Sequence, residues 1–92
     1  MIKHPRHATH FDIIKRLKRA DGHLRSVIDM IQAERPCVDI AQQLYAVEKA
    51  IAQAKRTLIQ DHIDHCLDAA MANATDGDPQ QTSDFKTIVK YL

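Results

Sequence analysis

CVDIAQQLYAVEKAIAQAKRTLIQDHIDHCLDAAMAN, residues 37–73, contains neither glycine nor proline, and its reading decides the fold. Apolar residues return at Ile40, Leu44, Val47, Ile51, Ala54 and Leu58, and His62 and Cys66 continue the same face. Steps of three and four are the mark of an amphipathic helix. The stretch predicts one helix of roughly 33 residues, about 50 Å long at 1.5 Å per residue.

Working outward, Pro36 closes whatever precedes this helix and opens it, since a first helical turn tolerates the missing N–H. Upstream, Ile13/Ile14, Leu17, Ala20, Leu24, Val27/Ile28 and Ile31 form a second helical stripe, predicting a first helix from about His10 to about Ala33 with Thr9 as N-cap. Residues 1–8 read as a flexible arm, and residues 9–92 as a single helical domain. Downstream, Ala-Thr-Asp-Gly-Asp-Pro at 74–79 is a stop and turn. Ser83 then caps a short third helix with Phe85, Ile88, Val89 and Leu92 on one face. The fold class is all-α, a three-helix protomer.

The first helix spans roughly 36 Å, so it cannot cover the second one's whole apolar face. The short third helix cannot finish the task. The remaining stripe calls for a second copy, most simply a two-fold dimer of antiparallel helix pairs.

Composition agrees. Two Gly and three Pro in 92 residues leave little turn material for a many-stranded sheet. No run is long and apolar enough to span a membrane, and no signal-peptide pattern occurs, so the expected location is the cytoplasm. In a reducing compartment Cys37 and Cys66 read as thiols or metal ligands before they read as a disulfide. The net charge of +1 is unevenly spread: residues 1–25 hold seven basic and two acidic groups, a balance of +5, and the rest six and ten, a balance of −4. A basic end on a near-neutral chain suggests an anionic partner met by one region.

The chemistry sits on the long helix. His62 and Cys66 stand four apart, so both project from one face and can share a metal ion. Thiolate with imidazole is a soft donor set, suited to Cu(I), Zn(II) or a late divalent metal. Cys37 lies some 37 Å away along the same helix, too far to join them within one chain. In an antiparallel dimer the start of one long helix runs beside the end of the other, so Cys37 of one protomer can meet His62 and Cys66 of its partner. Two symmetric sites, each bridging protomers, would result.

Four segments carry a family resemblance: Arg16-Leu-Lys-Arg-Ala-Asp-Gly-His23-Leu, Cys37-Val-Asp-Ile, Gln43-x-x-Ala46-Val47, and Asp61-His62-x-x-x-Cys66. Together they make residues 14–70 resemble the copper-sensitive operon repressors and their nickel/cobalt- and formaldehyde-sensing relatives. The resemblance implies an antiparallel four-helix-bundle dimer, usually a dimer of dimers, that holds operator DNA when metal-free and lets go when metal binds. It makes Cys37, His62 and Cys66 the ligands of a Cu(I) sensor. Two positions depart from the copper pattern: Pro36 stands where Tyr often precedes the first Cys, and Gln80 and Gln81 where a third-helix Glu often stands. Nickel/cobalt members recruit an extra N-terminal His, and His4, His7, His10 and His23 are on offer here, so Ni(II) or Co(II) is the alternative effector. His65 is expected to face solvent and can substitute as a ligand.

Lys15, Lys18, Arg19 and Arg25, with Arg16 nearby, fall on one side of the first helix, and Lys49, Lys55 and Arg56 can extend the patch on the second. No helix-turn-helix pattern is evident. The resemblance gives the patch a partner, double-stranded operator DNA held through its phosphates and read partly by shape. Family positions that are often Arg are here Glu48 and Gln53. A metal-storage or chaperone protein would need the thiolate site but no basic face. An enzyme would need a base–orienter set or a Gly-rich loop, and neither accompanies the Cys/His pair.

Overall fold

The computed structural model describes residues 8–72 and 79–92. Among them the regular elements are helices: α1 (Ala8–Gln32), α2 (Cys37–Ala72), α3 (Pro79–Ile88) and a closing 3₁₀ turn, Val89–Tyr91. α2 runs unbroken for 36 residues, about 54 Å at the helical rise, as its lack of Gly and Pro requires. No helix among the described residues is long and apolar enough to cross a membrane.

α1 starts earlier than the sequence suggests. Thr9 lies inside the first turn instead of capping it, and its Oγ1 is buried without a hydrogen-bond partner. Of the expected arm at residues 1–8, residues 1–7 lie outside the described residues, and Ala8 already belongs to the helix.

The α1–α2 turn is a Schellman closure. Glu34 N–H donates to the Ile31 carbonyl (3.1 Å) and Arg35 N–H to the Met30 carbonyl (3.0 Å). Glu34 adopts φ 57°, the left-handed position usually given to Gly. Pro36 then caps α2, its carbonyl accepting the Ile40 N–H at 3.1 Å. Asp39 sits in the first turn, where a carboxylate complements the helix's positive end, and meets Arg35 at 3.8 Å.

The chain forms two compact units, residues 1–54 and 55–92, with α2 contributing to both. In the first, α1 packs on the opening half of α2. Its buried residues step by seven, Ile13, Ala20 and Val27 on α1 and Val47 and Ala54 on α2. That heptad seam is narrower than the stripes in the sequence. Leu17 (43%), Leu24 (38%), Leu44 (43%) and Ile51 (45%) keep much of their surface open, and Ile28, Ile31 and Leu58 join them. Each stripe is thus divided lengthwise: one edge is buried, the other is left about half open.

In the second unit Ile59 of α2 is buried, and Phe85, Ile88 and Val89 are half-buried on the closing segment. α3 begins at Pro79, four residues before Ser83. Pro is preorganised for a first helical position, which leaves Ser83 inside the helix. The 3₁₀ turn tightens the chain after Ile88, and Leu92 ends exposed instead of continuing the apolar face.

Candidate metal centre and nucleic-acid surface

The second unit brings His62 and Cys66 together. One helical turn apart on α2, they place Cys66 Sγ 3.4 Å from His62 Nε2, and both are half-buried. Metal–sulfur and metal–nitrogen bonds of about 2.3 and 2.0 Å would span that separation at an angle of roughly 100°. A shared soft ion therefore fits the pair as it stands. Both thiols are free, Cys37 exposed and Cys66 partly covered. Among the described residues no three of His, Cys, Asp and Glu converge within one chain.

His62 also lines a cleft of about 240 Å³ with Asp84, Thr87, Ile88 and Tyr91. Asp84 is a residue that the sequence reading passed over. With the third helix starting at Pro79, Asp84 falls in its second turn and lines the His62 cleft. The side chains of Gln80 and Gln81 lie outside the described residues.

The remaining histidines separate. His4 and His7 lie outside the described residues. His10 is half-buried, and both it and His65 have interaction partners. His23 is engaged elsewhere: its Nε2 and the Gln43 Oε1 share a hydrogen bond of 2.6 Å that ties α1 to α2.

The basic residues also divide into groups. Lys15 and Lys18 stand exposed on α1. Arg16 and Arg19 line a cleft with Ala20, His23 and Ala50. Arg25 meets Asp21 at 3.4 Å, both well exposed. On α2, Lys49 stacks over the Tyr45 ring at 5.2 Å. Lys55 and Arg56 belong to the second unit, Lys55 exposed and Arg56 with partners of its own.

Residues 9–91 match the family described as metal-sensitive transcriptional repressor. The copper-sensing transcriptional repressor RicR of Mycobacterium tuberculosis is 33% identical over 78 residues, covering 85% of this chain and 81% of that protein. Against other mycobacterial copper-sensing repressors the chain spans about half their length. Two solved structures superpose well. The nickel-responsive transcriptional regulator InrS gives a TM-score of 0.79 at 26% identity, covering 99% of this chain and 98% of that one. The copper-sensing repressor CsoR with Cu(I) from Geobacillus thermodenitrificans NG80-2 gives 0.76 at 30% identity, covering 97% and 92%.

Proposed function

Because this chain belongs to the metal-sensitive transcriptional repressor family, we propose that it holds operator DNA when metal-free and releases it on taking up Cu(I). The family is one of transcriptional repressors, not of enzymes. The observation that carries the copper reading is the thiol–imidazole pair, Cys66 Sγ and His62 Nε2 at 3.4 Å, which has no third donor beside it among the described residues.

The bare apolar edge supplies the means of completing it. Leu44, Ile51 and Leu58 follow one another at seven-residue steps between Cys37 and the His62/Cys66 pair. A second copy laid antiparallel over that edge covers it and sets its own Cys37 beside the pair. Two thiolates and one imidazole then complete a three-coordinate site, the donor set that a soft monovalent ion prefers. Cys37 and Cys66 must give up their thiol protons to serve, and His62 must be neutral. Since the ligands belong to two protomers, drawing them together shifts one helix pair against the other and rearranges the basic faces that grip DNA. A coupling of a few kcal/mol between the two sites suffices for a useful switch. RicR and the Geobacillus CsoR, both copper-sensing by name, support this choice of metal.

The DNA surface comprises Lys15, Arg16, Lys18, Arg19 and Arg25 of α1 with Lys49, Lys55 and Arg56 of α2. The protein acts as a homodimer or homotetramer in the cytoplasm.

A mixing experiment tests the site. Cys37→Ala and Cys66→Ala should each fail to bind Cu(I) tightly while still binding DNA. A heterodimer of the two retains one intact site, so mixing should restore binding in the presence of a competing chelator. Full-affinity uptake by either variant alone would sink the inter-protomer site. The similarity to InrS favours a second reading, a Ni(II)- or Co(II)-responsive repressor using an N-terminal His as extra donor. Tight four-coordinate Ni(II) binding that depends on His7 or His10 would select it.

A further inference from the structure

We propose that Val38 of one protomer seats in the cleft beside His62 of a second copy, which makes the closing segment of the chain one wall of the dimer contact. The inference rests on the inter-protomer reading above and adds a contact which that reading does not assign.

Two exposed apolar side chains prompt it. Val38 is 68% exposed, more open than any other large hydrophobic side chain among the described residues. Tyr91 is 62% exposed and lines the cleft with His62, Asp84, Thr87 and Ile88. Each stands beside a proposed copper donor, Val38 next to Cys37 in sequence and Tyr91 next to His62 in the cleft.

A shared ion fixes how near the two features come. With metal–sulfur bonds of about 2.3 Å and metal–nitrogen bonds of about 2.0 Å, Cys37 Sγ of one copy lies within roughly 4 Å of the other's imidazole. Successive Cα atoms are about 3.8 Å apart, so the Val38 Cα stands within roughly 11 Å of that ring.

The two-fold then sets the direction. Val38 sits one residue past Cys37, about 100° further round α2. Val38, Tyr45, Ala52 and Ile59 follow one another on that flank at seven-residue steps. Val38 and Tyr45 are exposed, Ala52 is half-buried and Ile59 is buried. A two-fold axis perpendicular to antiparallel helices leaves this flank on the same side of both copies. The bare start of one stripe therefore runs beside the buried end of the other, where Ile88 and Tyr91 stand next to His62.

The cleft of about 240 Å³ has room for a branched aliphatic side chain. Ile88, the Tyr91 ring and the Thr87 methyl offer it apolar surface, and valine brings no polar group that burial would leave unpaired. Val38 is thus a positioning residue. Seated, it fixes the first turn of α2, which carries Cys37, and adds to the apolar shell that keeps water from the ion.

Disulfide trapping tests the contact in the full-length, metal-free protein. Val38→Cys and Thr87→Cys are each placed in a chain that also carries Cys37→Ala and Cys66→Ala. The two chains are mixed and oxidised with diamide. A linked heterodimer is expected, and neither chain should link by itself. The control mixes Cys37→Ala with Cys66→Ala, whose remaining thiols meet at one metal site. If the control links while Val38→Cys pairs neither with Thr87→Cys nor with Tyr91→Cys, the seat is overturned and the inter-protomer site stands. If the control does not link, the inter-protomer reading fails and the seat falls with it. Chelator competition supplies the second measurement. Val38→Ala removes two carbons from the contact and should lower Cu(I) affinity roughly tenfold, while Val38→Ile should retain it. Both variants should still bind DNA as the unmutated protein does. Unchanged Cu(I) affinity in Val38→Ala would overturn the positioning of Cys37 by this residue.

Discussion

Cys66 Sγ and His62 Nε2 lie 3.4 Å apart on consecutive turns of α2, and the cleft beside His62 is also lined by Asp84 of α3. A metal-bound imidazole is held in orientation by whatever its other ring nitrogen meets. Asp84 lines the same cleft and is the carboxylate proposed to serve in that way. Asp84→Ala should weaken Cu(I) affinity by about 10- to 100-fold, the usual effect of losing such a partner. His62→Ala should abolish tight binding. Chelator competition measures both, and full affinity in Asp84→Ala would remove Asp84 from the site.

Leu44 and Ile51 remain nearly half-exposed on the long helix, and Leu17 and Leu24 of α1 are similarly open. In the proposed dimer a second copy covers this half-open apolar edge. Leu44→Asp or Ile51→Asp would place an unpaired charge in the resulting interface. Sedimentation should show the unmutated protein as a dimer or larger at micromolar concentration and these variants dissociated or unfolded. The melting temperature of the unmutated protein should rise with protein concentration, because association stabilises only the folded state. A folded, monodisperse monomer of the unmutated chain would end this account.

Glu34 occupies the left-handed position of the α1–α2 closure at φ 57°. A non-glycine residue pays roughly 1–2 kcal/mol there. Glu34→Gly relieves that strain but frees the unfolded chain, so the net gain should be at most about 1 kcal/mol. Urea unfolding should show a higher midpoint at unchanged slope. Glu34→Val, β-branched and poorly suited to positive φ, should lower the midpoint.

Much of this was legible in the sequence, for identifiable reasons. The unbroken run after Pro36 left α2 no place to end before Ala72, and the spacing of His62 and Cys66 could only put them on one face. What stayed hidden depends on neighbours. Periodicity marks a broad apolar stripe but does not say which edge the chain itself covers; the packing selected Ile13, Ala20 and Val27 and left Leu17 and Leu24 bare. Ala20 and Ala54 are among the buried residues, a choice that counting apolar residues cannot reveal. The place of Asp84 beside the His62 cleft follows from α3 opening at its Pro, and the His23–Gln43 hydrogen bond, twenty residues apart, gives no local sign in the sequence.

Arg25 and Asp21 make the final test. They meet at 3.4 Å one turn apart on α1, with both side chains largely exposed. An exposed pair of this kind contributes little to folding, about 0–1 kcal/mol, so Asp21→Asn should leave stability nearly unchanged. Its effect on DNA binding should be larger. Asp21 partly neutralises Arg25 and adds a negative charge to the face proposed to meet phosphates. Removing it should raise affinity several-fold at low salt, and the gain should shrink as salt rises and screens the charge. Arg25→Ala should lower affinity, and the double variant should show less of the Asp21→Asn gain, since the freed guanidinium is gone. Binding isotherms for the four proteins at two salt concentrations close this cycle. If Asp21→Asn binds no better than the unmutated protein at low salt, Arg25 and Asp21 lie off the DNA face, and the contact surface narrows to Lys15, Arg16, Lys18 and Arg19 on α1.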